Sequence, residues 1–461
     1  MLRGSGRRAP GGGRLRGASR RVRRLRTRGG PQVAEGLALV TQLGEQPAET
    51  EIHRVTGGQS EHRERIDIVA GEHQEDGDHH QRVDEPLAGQ PLPRNRTGRI
   101  PGHATILPRR PSVHFHGMRV GVLTGGGDCP GLNAVIRAIV RKAETVHGDE
   151  VLGFIDSWDG VMDQRFLRLD VSAMRGLLPR GGTVLGTRRG SPYDHDDGVD
   201  RVRKSFSDLG LDALVVIGGN GSLTVASMIH RDTGLPVVGV PKTIDNDIAG
   251  TDLTFGFHTA VQIATDAIDR LHTTAESHDR VMVVEVMGRD TGWIATYAGI
   301  AGGATVILVP EVPFDIDQVC ATVTRRHGRG RYASIVVVAE GARPRPGSMP
   351  EPEYERDHIG RARLGGIGAR VADEIEHRTG YEARVVQIGH VQRGGTPTAY
   401  DRILSTRFGL AAIDAVHDGA FGSMVALRCS EIVRVPLEEV VGRTRSVDLE
   451  LLEDVAQVFF G

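Results

Sequence analysis

The sequence predicts an α/β protein with two three-layer lobes and mostly parallel sheets. Short apolar segments typical of buried strands alternate with amphipathic helical segments, and several of these strands run into glycine-rich loops. The chain holds 62 glycines among 461 residues, whereas aromatic residues make up only 4%. Alternating strands and helices favour parallel sheets, and glycine suits the tight turns that join them.

The bulk composition sets limits on size and partners. A chain of 461 residues has room for two or three domains. Its 57 basic and 59 acidic side chains give a net charge of −2, so charge supplies no argument for a nucleic-acid partner. Three cysteines are too few for a disulfide framework or a zinc site, which favours a reducing, cytoplasmic location. The sequence contains no stretch of 18 or more apolar residues, so no membrane span is predicted.

Residues 1–117 differ in composition from the remainder. Arginine and glycine dominate the first 30 residues, and residues 61–99 are rich in His, Asp, Glu, Gln and Pro. Such a segment buries too little apolar surface to offset the entropy of ordering. It is expected to be a disordered or non-native extension, with Met118 as a plausible true start. The alternative is a basic targeting or nucleic-acid arm.

The first predicted strand, residues 119–124, leads into the loop GGGDCPGLN at residues 125–133 and then a helix. Glycines let backbone N–H groups approach an anion, and the helix N-terminus adds a favourable dipole. This pattern predicts a phosphate-binding loop, although its spacing matches neither the dinucleotide nor the Walker fingerprint. A tight turn without a ligand is the alternative.

Two further loops extend this pattern. After a strand at residues 151–154, Trp158 is expected either to cap the core or to stack on a base, and the first role is more common. The loop at residues 181–189 brings two arginines, a residue type suited to bidentate phosphate contacts, unless they are merely solvated. A strongly apolar strand at residues 212–217 then runs into GGNGS at residues 218–222, a second phosphate-binding loop.

The stretch PKTIDNDI, residues 241–248, follows a short apolar strand and stops it at Pro241. Its two aspartates lie where open α/β sheets bind ligands, beyond the carboxyl end of a strand. One carboxylate is suited to accept a proton from an attacking hydroxyl, while the other helps to hold a metal or the substrate. Asp and Asn are also common in ordinary turns, which is the competing interpretation.

The second half repeats the alternation. An amphipathic helix is predicted at residues 257–271, and a charged, Pro-rich loop or lid at residues 343–363. Further helices are predicted at residues 401–415 and 447–461. Strands are predicted at residues 280–287, 305–310, 334–340 and 384–389, and polar motifs follow several of them. Several strand-to-loop sites able to face one crevice are stronger evidence for a binding site than any single loop.

Residues 118 to about 445 resemble the 6-phosphofructokinase family. The motifs that carry this resemblance are LTGGGDCPGLN, GGTVLGTRRG, GGNGS, PKTIDNDI, EVMGRDTGW, AEG and GHVQRGG. It implies two Rossmann-like lobes and a phosphotransferase of glycolysis with an alcohol as acceptor. The implied reaction transfers the γ-phosphoryl of ATP, with Mg²⁺, to the 1-hydroxyl of fructose 6-phosphate. Residues 118–256, completed by part of 391–445, would bind the donor, and residues 257–390 with 446–461 would bind the sugar.

The resemblance also implies roles for individual residues. Asp245 would be the general base, Asp247 would support this site and the metal, and Thr243 and Arg289 would contact the transferring phosphoryl group and the sugar. The sugar pocket would comprise Met287, Gly288, Glu340, His390 and Arg393, with Arg280 and Arg384 contributed by a neighbouring subunit of a homodimer or homotetramer. The donor side would comprise Gly127, Arg188, Arg189, Gly219, Asn220, Gly221, Ser222 and Lys242.

Three positions bear on the identity of the phosphoryl donor and on the binding of the metal. Within the resembled family, glycine at the position of Gly221 goes with ATP, whereas lysine at the position of Lys242 is typical of pyrophosphate enzymes. This combination resembles the actinobacterial branch of ATP enzymes, so ATP is favoured and pyrophosphate is the alternative. Asn220, the candidate metal residue, stands where an acid is usual, and loss of that charge predicts weaker Mg²⁺ binding. A catalytically weak regulatory homologue is the remaining alternative.

Overall fold

The computed structural model describes residues 117–350 and 364–459, which contain two β-sheets and their covering helices. The predictions for residues 1–116, and for most of the predicted lid, lie outside the described residues. The strands are β1 (Arg119–Gly125), β2 (Glu150–Phe154), β3 (Phe166–Leu169), β4 (Ala213–Gly218), β5 (Val237–Thr243), β6 (Phe255–Gly256), β7 (Val281–Val286), β8 (Val306–Leu308), β9 (Ser334–Ala339), β10 (Ala383–Gln387), β11 (Ser423–Arg428) and β12 (Glu431–Pro436).

Eleven α-helices lie in the same described residues and alternate with most of the strands. They are α1 (Leu132–Lys142), α2 (Trp158–Met162), α3 (Gly198–Leu209), α4 (Asn220–Thr233), α5 (Phe257–His278), α6 (Trp293–Ala301), α7 (Ile316–Gly328), α8 (Ile367–Thr379), α9 (Ala399–His417), α10 (Leu437–Val440) and α11 (Leu449–Phe459).

The first sheet has the order β12-β11-β5-β4-β1-β2-β3, and β6 pairs with β5. Its central strands are parallel, as the sequence predicts, because helices cross over between them. The two edges are antiparallel: β3 pairs with β2, and β12 pairs with β11. The second pairing follows from a two-residue hairpin, in which Cys429 has a φ of 55°.

The second sheet has the order β10-β7-β9-β8 and is parallel throughout. Strands β7 and β9 are buried along their whole length, and so is β4 in the first sheet. Strands covered by helices on both faces lose their alternation of polar and apolar residues. The predicted α/β fold with mostly parallel sheets is therefore confirmed.

The sequence analysis missed strands β3, β6, β11 and β12. Strand β3 is buried only at its last residue, and β12 is exposed at three of its six positions, whereas β11 is buried over four successive residues. The sequence also left helices α3, α7 and α8 undescribed. Helix α5 is longer than predicted, because the polar residues after residue 271 extend it to His278. No helix among the described residues is long and apolar enough to cross a membrane.

Helices α1 and α9 pack closely against each other on one face of the first sheet. The contact is close because α9 carries Gly409 there. A Cβ added at Gly409 would lie 2.6 Å from the carbonyl oxygen of Val135 and 2.7 Å from the Cβ of Ala138. The packing of α1 against α9 therefore depends on a glycine in a helix interior.

Gly409→Ala is expected to lower the free energy of unfolding by roughly 1–3 kcal/mol, because the added methyl overpacks this contact. Urea denaturation of purified protein measures the effect. Gly328→Ala in α7 is the matched control, since a Cβ there meets no atom within 4 Å. Equal stability of the two variants would contradict close packing of α1 against α9.

Candidate active site

The carboxyl ends of the two parallel sheets face each other across a crevice. Two hydrogen bonds cross it: the Thr291 hydroxyl donates to the carbonyl of Asp245 at 3.2 Å, and the Arg393 guanidinium donates to the carbonyl of Asp128 at 3.2 Å. Asp245 and Asp128 follow strands of the first sheet, whereas Thr291 and Arg393 follow strands of the second. The loops that the sequence singled out at several strand ends therefore share one crevice.

Residues 243–247, here called the aspartate turn, begin at Thr243, the last residue of the buried strand β5. The Thr243 hydroxyl accepts a hydrogen bond from the Asp245 backbone N–H at 3.0 Å. Asn246 is left-handed, with a φ of 54°, a conformation that asparagine adopts more readily than most residues. Its side-chain oxygen accepts the Thr254 N–H at 3.0 Å, so the turn is fixed from within the lobe.

Burial sets the electrostatics of the two carboxyl groups in this turn. Burial and the nearby Asp247 carboxylate raise the pKa of Asp245 to about 7, against the opposing effect of Arg393. Burial likewise raises the pKa of Asp247. The Oδ1 atoms of both groups are buried without a hydrogen-bond partner among the described residues. Asp245 thus has the properties of a base that titrates near neutral pH.

Asn220 is the first residue of α4, and its side chain contacts the aspartate turn directly. Its Nδ2 donates a hydrogen bond to Oδ2 of Asp247 at 2.8 Å. A second carboxylate at this distance would repel Asp247, whereas the amide pairs with it. The predicted metal residue therefore pairs with Oδ2 of Asp247 and leaves Oδ1 unpartnered among the described residues.

Lys242 joins the two glycine loops, which comprise residues 125–133 and 218–222. It is 3% exposed, and its Nζ donates to the carbonyl of Gly127 at 2.5 Å. The same Nζ lies 3.9 Å from where a Cβ of Gly219 would stand. Burial lowers the pKa of Lys242. A single ammonium group therefore lies between both loops.

The second glycine loop is built by close contact between small residues. A Cβ at either Gly125 or Gly218 would come within 2.3 Å of the Ser222 side chain. Ser222 thereby packs the first turn of α4 against the first glycine loop. Gly221 differs, since it is exposed and a Cβ there meets no atom within 4 Å. The loop is tight beside Ser222 and open beside Gly221.

The loop at residues 181–189 lies against the first glycine loop. The Thr187 hydroxyl donates to the carbonyl of Gly126 at 2.7 Å. Arg188 is largely exposed and forms ion pairs with Asp156 at 3.5 Å and Asp159 at 3.7 Å. Arg189 follows it in the same loop, whose backbone lies beside the first glycine loop, since the Arg188 carbonyl accepts the Gly126 N–H at 3.4 Å.

The predicted sugar-pocket residues follow adjacent strands of the second sheet at their carboxyl ends. Met287 and Gly288 follow β7, and Glu340 follows β9. After β10, the 3₁₀ turn Gly389–Arg393 carries the remaining two residues, His390 and Arg393. Burial raises the pKa of Glu340, and Arg289 opposes that shift from across the pocket. The structure thus brings these residues to one side of the crevice.

Arg280 and Arg384 lie at the opposite edge of the second sheet. Arg280 precedes β7 and pairs with Glu382 at 2.8 Å, while Arg384 pairs with Glu376 at 3.6 Å. These two arginines lie near the amino-terminal ends of their strands. The six residues of β7, roughly 20 Å of strand, separate these ends from the carboxyl ends, where Glu340 lies. Within one chain these two arginines therefore do not join the crevice, consistent with the neighbouring-subunit role that the resemblance implies.

Several residues at the site carried no assigned role in the sequence analysis. Buried Gln392 accepts the Met287 N–H at 2.8 Å, and its only signal was its place within the GHVQRGG motif. Thr291 lay inside another motif, whereas nothing in the sequence marked Arg445, which contacts the aspartate turn. Trp158 is 1% exposed in the core, as the more common interpretation predicted.

The donor set of the crevice fits Mg²⁺ accompanied by a phosphate substrate. Among the described residues, no group of three or more His, Cys, Asp or Glu side chains could hold a metal. Two carboxylates with unpartnered Oδ1 atoms and one amide do converge there. Magnesium commonly takes one or two protein carboxylates and completes its shell with water and phosphate oxygens.

A carboxyl group whose pKa lies near 7, two helix N-termini with glycine loops and a buried lysine are features that suit a phosphoryl-transfer enzyme. A family model described as phosphofructokinase matches residues 119–416. The chain belongs to the phosphofructokinase family, as the sequence motifs predicted.

Relatives in this family are named for two different donors. A pyrophosphate–fructose 6-phosphate 1-phosphotransferase of Streptomyces coelicolor is 59% identical over 344 residues, covering 75% of this chain and 100% of the relative. An ATP-dependent 6-phosphofructokinase 3 of the same organism is 56% identical over 330 residues, covering 72% and 96%. The T-state structure of Pichia pastoris phosphofructokinase has a TM-score of 0.63 at 31% identity, covering 75% of this chain and 37% of that one.

Asn220→Asp is expected to give the crevice cation affinity without nucleotide, because two carboxylates would then face each other. Calorimetric titration of the purified protein with Mn²⁺ should show binding at least tenfold tighter than in the unchanged protein. Asn220→Leu, which has a similar shape without polar atoms, should show no gain. Equal Mn²⁺ affinity in all three proteins would mean that residue 220 does not control the cation.

Proposed function

We propose that this protein transfers the γ-phosphoryl group of ATP to the 1-hydroxyl of fructose 6-phosphate, giving fructose 1,6-bisphosphate and ADP. The observation that carries the proposal is Asp245, a partly buried residue whose pKa is raised to about 7 and whose buried Oδ1 has no hydrogen-bond partner among the described residues. It lies between the two glycine loops on one side and the Glu340 pocket on the other. Each part supplies something that phosphoryl transfer requires: placement, charge neutralisation and a base.

Asp245 acts on the sugar hydroxyl. As the hydroxyl oxygen forms its bond to the γ-phosphorus, the bond from that phosphorus to the bridging oxygen of ADP breaks. The hydroxyl proton passes to Asp245, which later releases it to solvent. Thr243 holds the turn by accepting the Asp245 N–H, and Asp247 would support the metal beside it.

The donor phosphates bind along the first sheet. Backbone N–H groups at the starts of α1 and α4 point toward the crevice, and Lys242 and Arg189 add positive charge. Asp247 and Asn220 would hold Mg²⁺ beside the phosphates. When bound, the ion neutralises phosphate charge as it redistributes during transfer.

The sugar phosphate binds along the second sheet. Glu340 accepts hydrogen bonds from sugar hydroxyls, Arg289 and Arg393 supply positive charge, and His390 supplies ring nitrogens for hydrogen bonding. Arg280 and Arg384 complete the pocket of a neighbouring subunit, because they lie at the far edge of their own sheet. The active protein is accordingly a homodimer or homotetramer with shared sites.

ATP is proposed as donor on the basis of Gly221. The space beside this residue is open, so a nucleoside has room next to the second glycine loop. Lys242, the feature that favours pyrophosphate, is buried and hydrogen-bonded to Gly127, which gives it a role in holding the loops together. Pyrophosphate remains the second candidate donor, because relatives at 57–59% identity carry that name.

Asp245→Asn is expected to lower kcat about 10²- to 10⁴-fold, because the amide cannot accept the proton. In the unchanged protein kcat/KM should fall about tenfold per pH unit below pH 7, since protonated Asp245 in the free protein is inactive. Coupled assays from pH 5.5 to 9 measure both effects. Asp252→Asn is the control, and a pH profile that is flat down to pH 5.5 would exclude Asp245 as the titrating base.

Donor identity is tested with fructose 6-phosphate, Mg²⁺ and either ATP or pyrophosphate as the sole donor. ATP alone should support formation of fructose 1,6-bisphosphate. Gly221→Asp should reduce kcat/KM for ATP at least 100-fold, because its carboxylate fills the open space and repels the donor. Gly221→Ala should retain most activity. Turnover with pyrophosphate alone would reverse the assignment, and turnover with neither would favour a binding or regulatory role.

A further inference from the structure

The backbone of the aspartate turn is held by two residues far from it in sequence. Three successive carbonyl groups of the turn accept hydrogen bonds. The Asp245 carbonyl accepts the Thr291 hydroxyl at 3.2 Å, and the Asn246 carbonyl accepts Nη1 of Arg445 at 3.4 Å. The Asp247 carbonyl accepts the Arg445 backbone N–H at 2.9 Å. Arg445 therefore binds the turn through both its side chain and its backbone.

Arg445 belongs to a short segment, residues 444–447, here called the C-terminal strap. Next to Arg445, Thr444 forms an isolated antiparallel bridge with Ile248, directly after the aspartate turn. At the other end of the strap, the Val447 N–H donates to Oε1 of Glu311 at 3.0 Å. The strap thus runs from the turn of the first sheet to the loops of the second.

Trp293 fixes the guanidinium group of Arg445. The Arg445 Cζ lies 4.0 Å from the centre of the indole ring, and the indole Nε1–H donates to the Arg445 carbonyl at 2.9 Å. This stacking is a cation–π contact within the usual distance. Burial lowers the pKa of Arg445, yet a guanidinium remains charged in proteins. The side chain is therefore anchored at both its backbone and its charged end.

Trp293 begins α6, directly after the loop that carries Arg289 and Thr291. That loop and the aspartate turn belong to different sheets. Arg445 contacts the turn and Trp293 at once, so it sets the distance between Asp245 and the Arg289 loop. Small displacements of a catalytic group cost large factors in rate, which gives this contact a functional consequence.

We propose that Arg445 is a positioning residue for phosphoryl transfer. Arg445 holds the carbonyls of Asn246 and Asp247, so that the Asp245 carboxylate keeps its orientation toward the acceptor hydroxyl. Thr291 assists by holding the Asp245 carbonyl. The contacts of Arg445 named above are all with other residues of the protein, and the proposed role requires no contact with either substrate. The proposal rests on the proposed role of Asp245 as general base, and the experiment below separates the two.

Arg445→Ala is expected to lower kcat about 10- to 100-fold, while KM for both substrates stays within threefold. A group that acts only through the base affects the chemical step more than binding. Arg443→Ala is the matched control, since this exposed arginine two residues earlier should leave both parameters unchanged. Arg445→Lys should recover part of the loss, because it restores a cation over Trp293, whereas the backbone N–H to Asp247 is present in every variant.

Thr291→Val is a second variant that removes only one hydroxyl, and it should lower kcat about three- to tenfold. Thr296→Val is its control, because that buried hydroxyl on α6 has no hydrogen-bond partner among the described residues. Thermal melting of every variant separates loss of folded protein from loss of rate. Values of kcat are compared only at temperatures where each variant is fully folded.

Combination with Asp245→Asn distinguishes this inference from the function on which it rests. If Arg445 acts through Asp245, Arg445→Ala should cost less than threefold further in kcat once Asp245 is asparagine. A full 10- to 100-fold further loss would overturn the positioning role, as would a rise in KM with kcat unchanged. Near-normal kcat in Asp245→Asn alone would instead refute the general-base assignment.

Discussion

Burial of the carboxyl groups that follow β5 is the constraint on which the site depends. Strand β5 lies in the middle of the first sheet, and its end delivers Asp245 and Asp247 into a crevice closed by the second sheet. A buried carboxylate is costly, so its pKa rises toward neutrality. The proposed role of Asp245 as general base rests on that cost, since an exposed aspartate would be a far weaker base.

The surrounding structure limits this cost with nearby positive charge and backbone dipoles. Lys242 and Arg393 approach from the two sides of the crevice and lower the pKa of Asp245. The Asn220 amide satisfies one oxygen of Asp247, and the strap fixes the backbone beneath it. Charged residues from both sheets therefore form one cluster. The hydrogen bonds across the crevice hold these residues at fixed distances from one another.

The sequence predicted the parts of the molecule that are local in the chain. Buried strands such as β4 are continuous apolar runs, and the glycine loops follow them directly, so both could be identified without a structure. The family motifs located Asp245, Glu340 and His390. Strand β12 was missed because it has neither a continuous buried run nor a regular alternation: residues 431, 434 and 436 are exposed and only Val435 is buried. Arg445 was missed because its role comes from contacts across about 200 residues, which periodicity cannot reveal.

The charge state of Asp245 in the free protein is the most direct test of this account. Infrared difference spectra between the unchanged protein and Asp245→Asn isolate the carboxyl band of this one residue as pH is varied. The band of the protonated Asp245 carboxyl should disappear as the pH is raised, with an apparent pKa near 7. A carboxylate that persists down to about pH 4, the ordinary value for aspartate, would contradict the claim that burial sets the chemistry of the site.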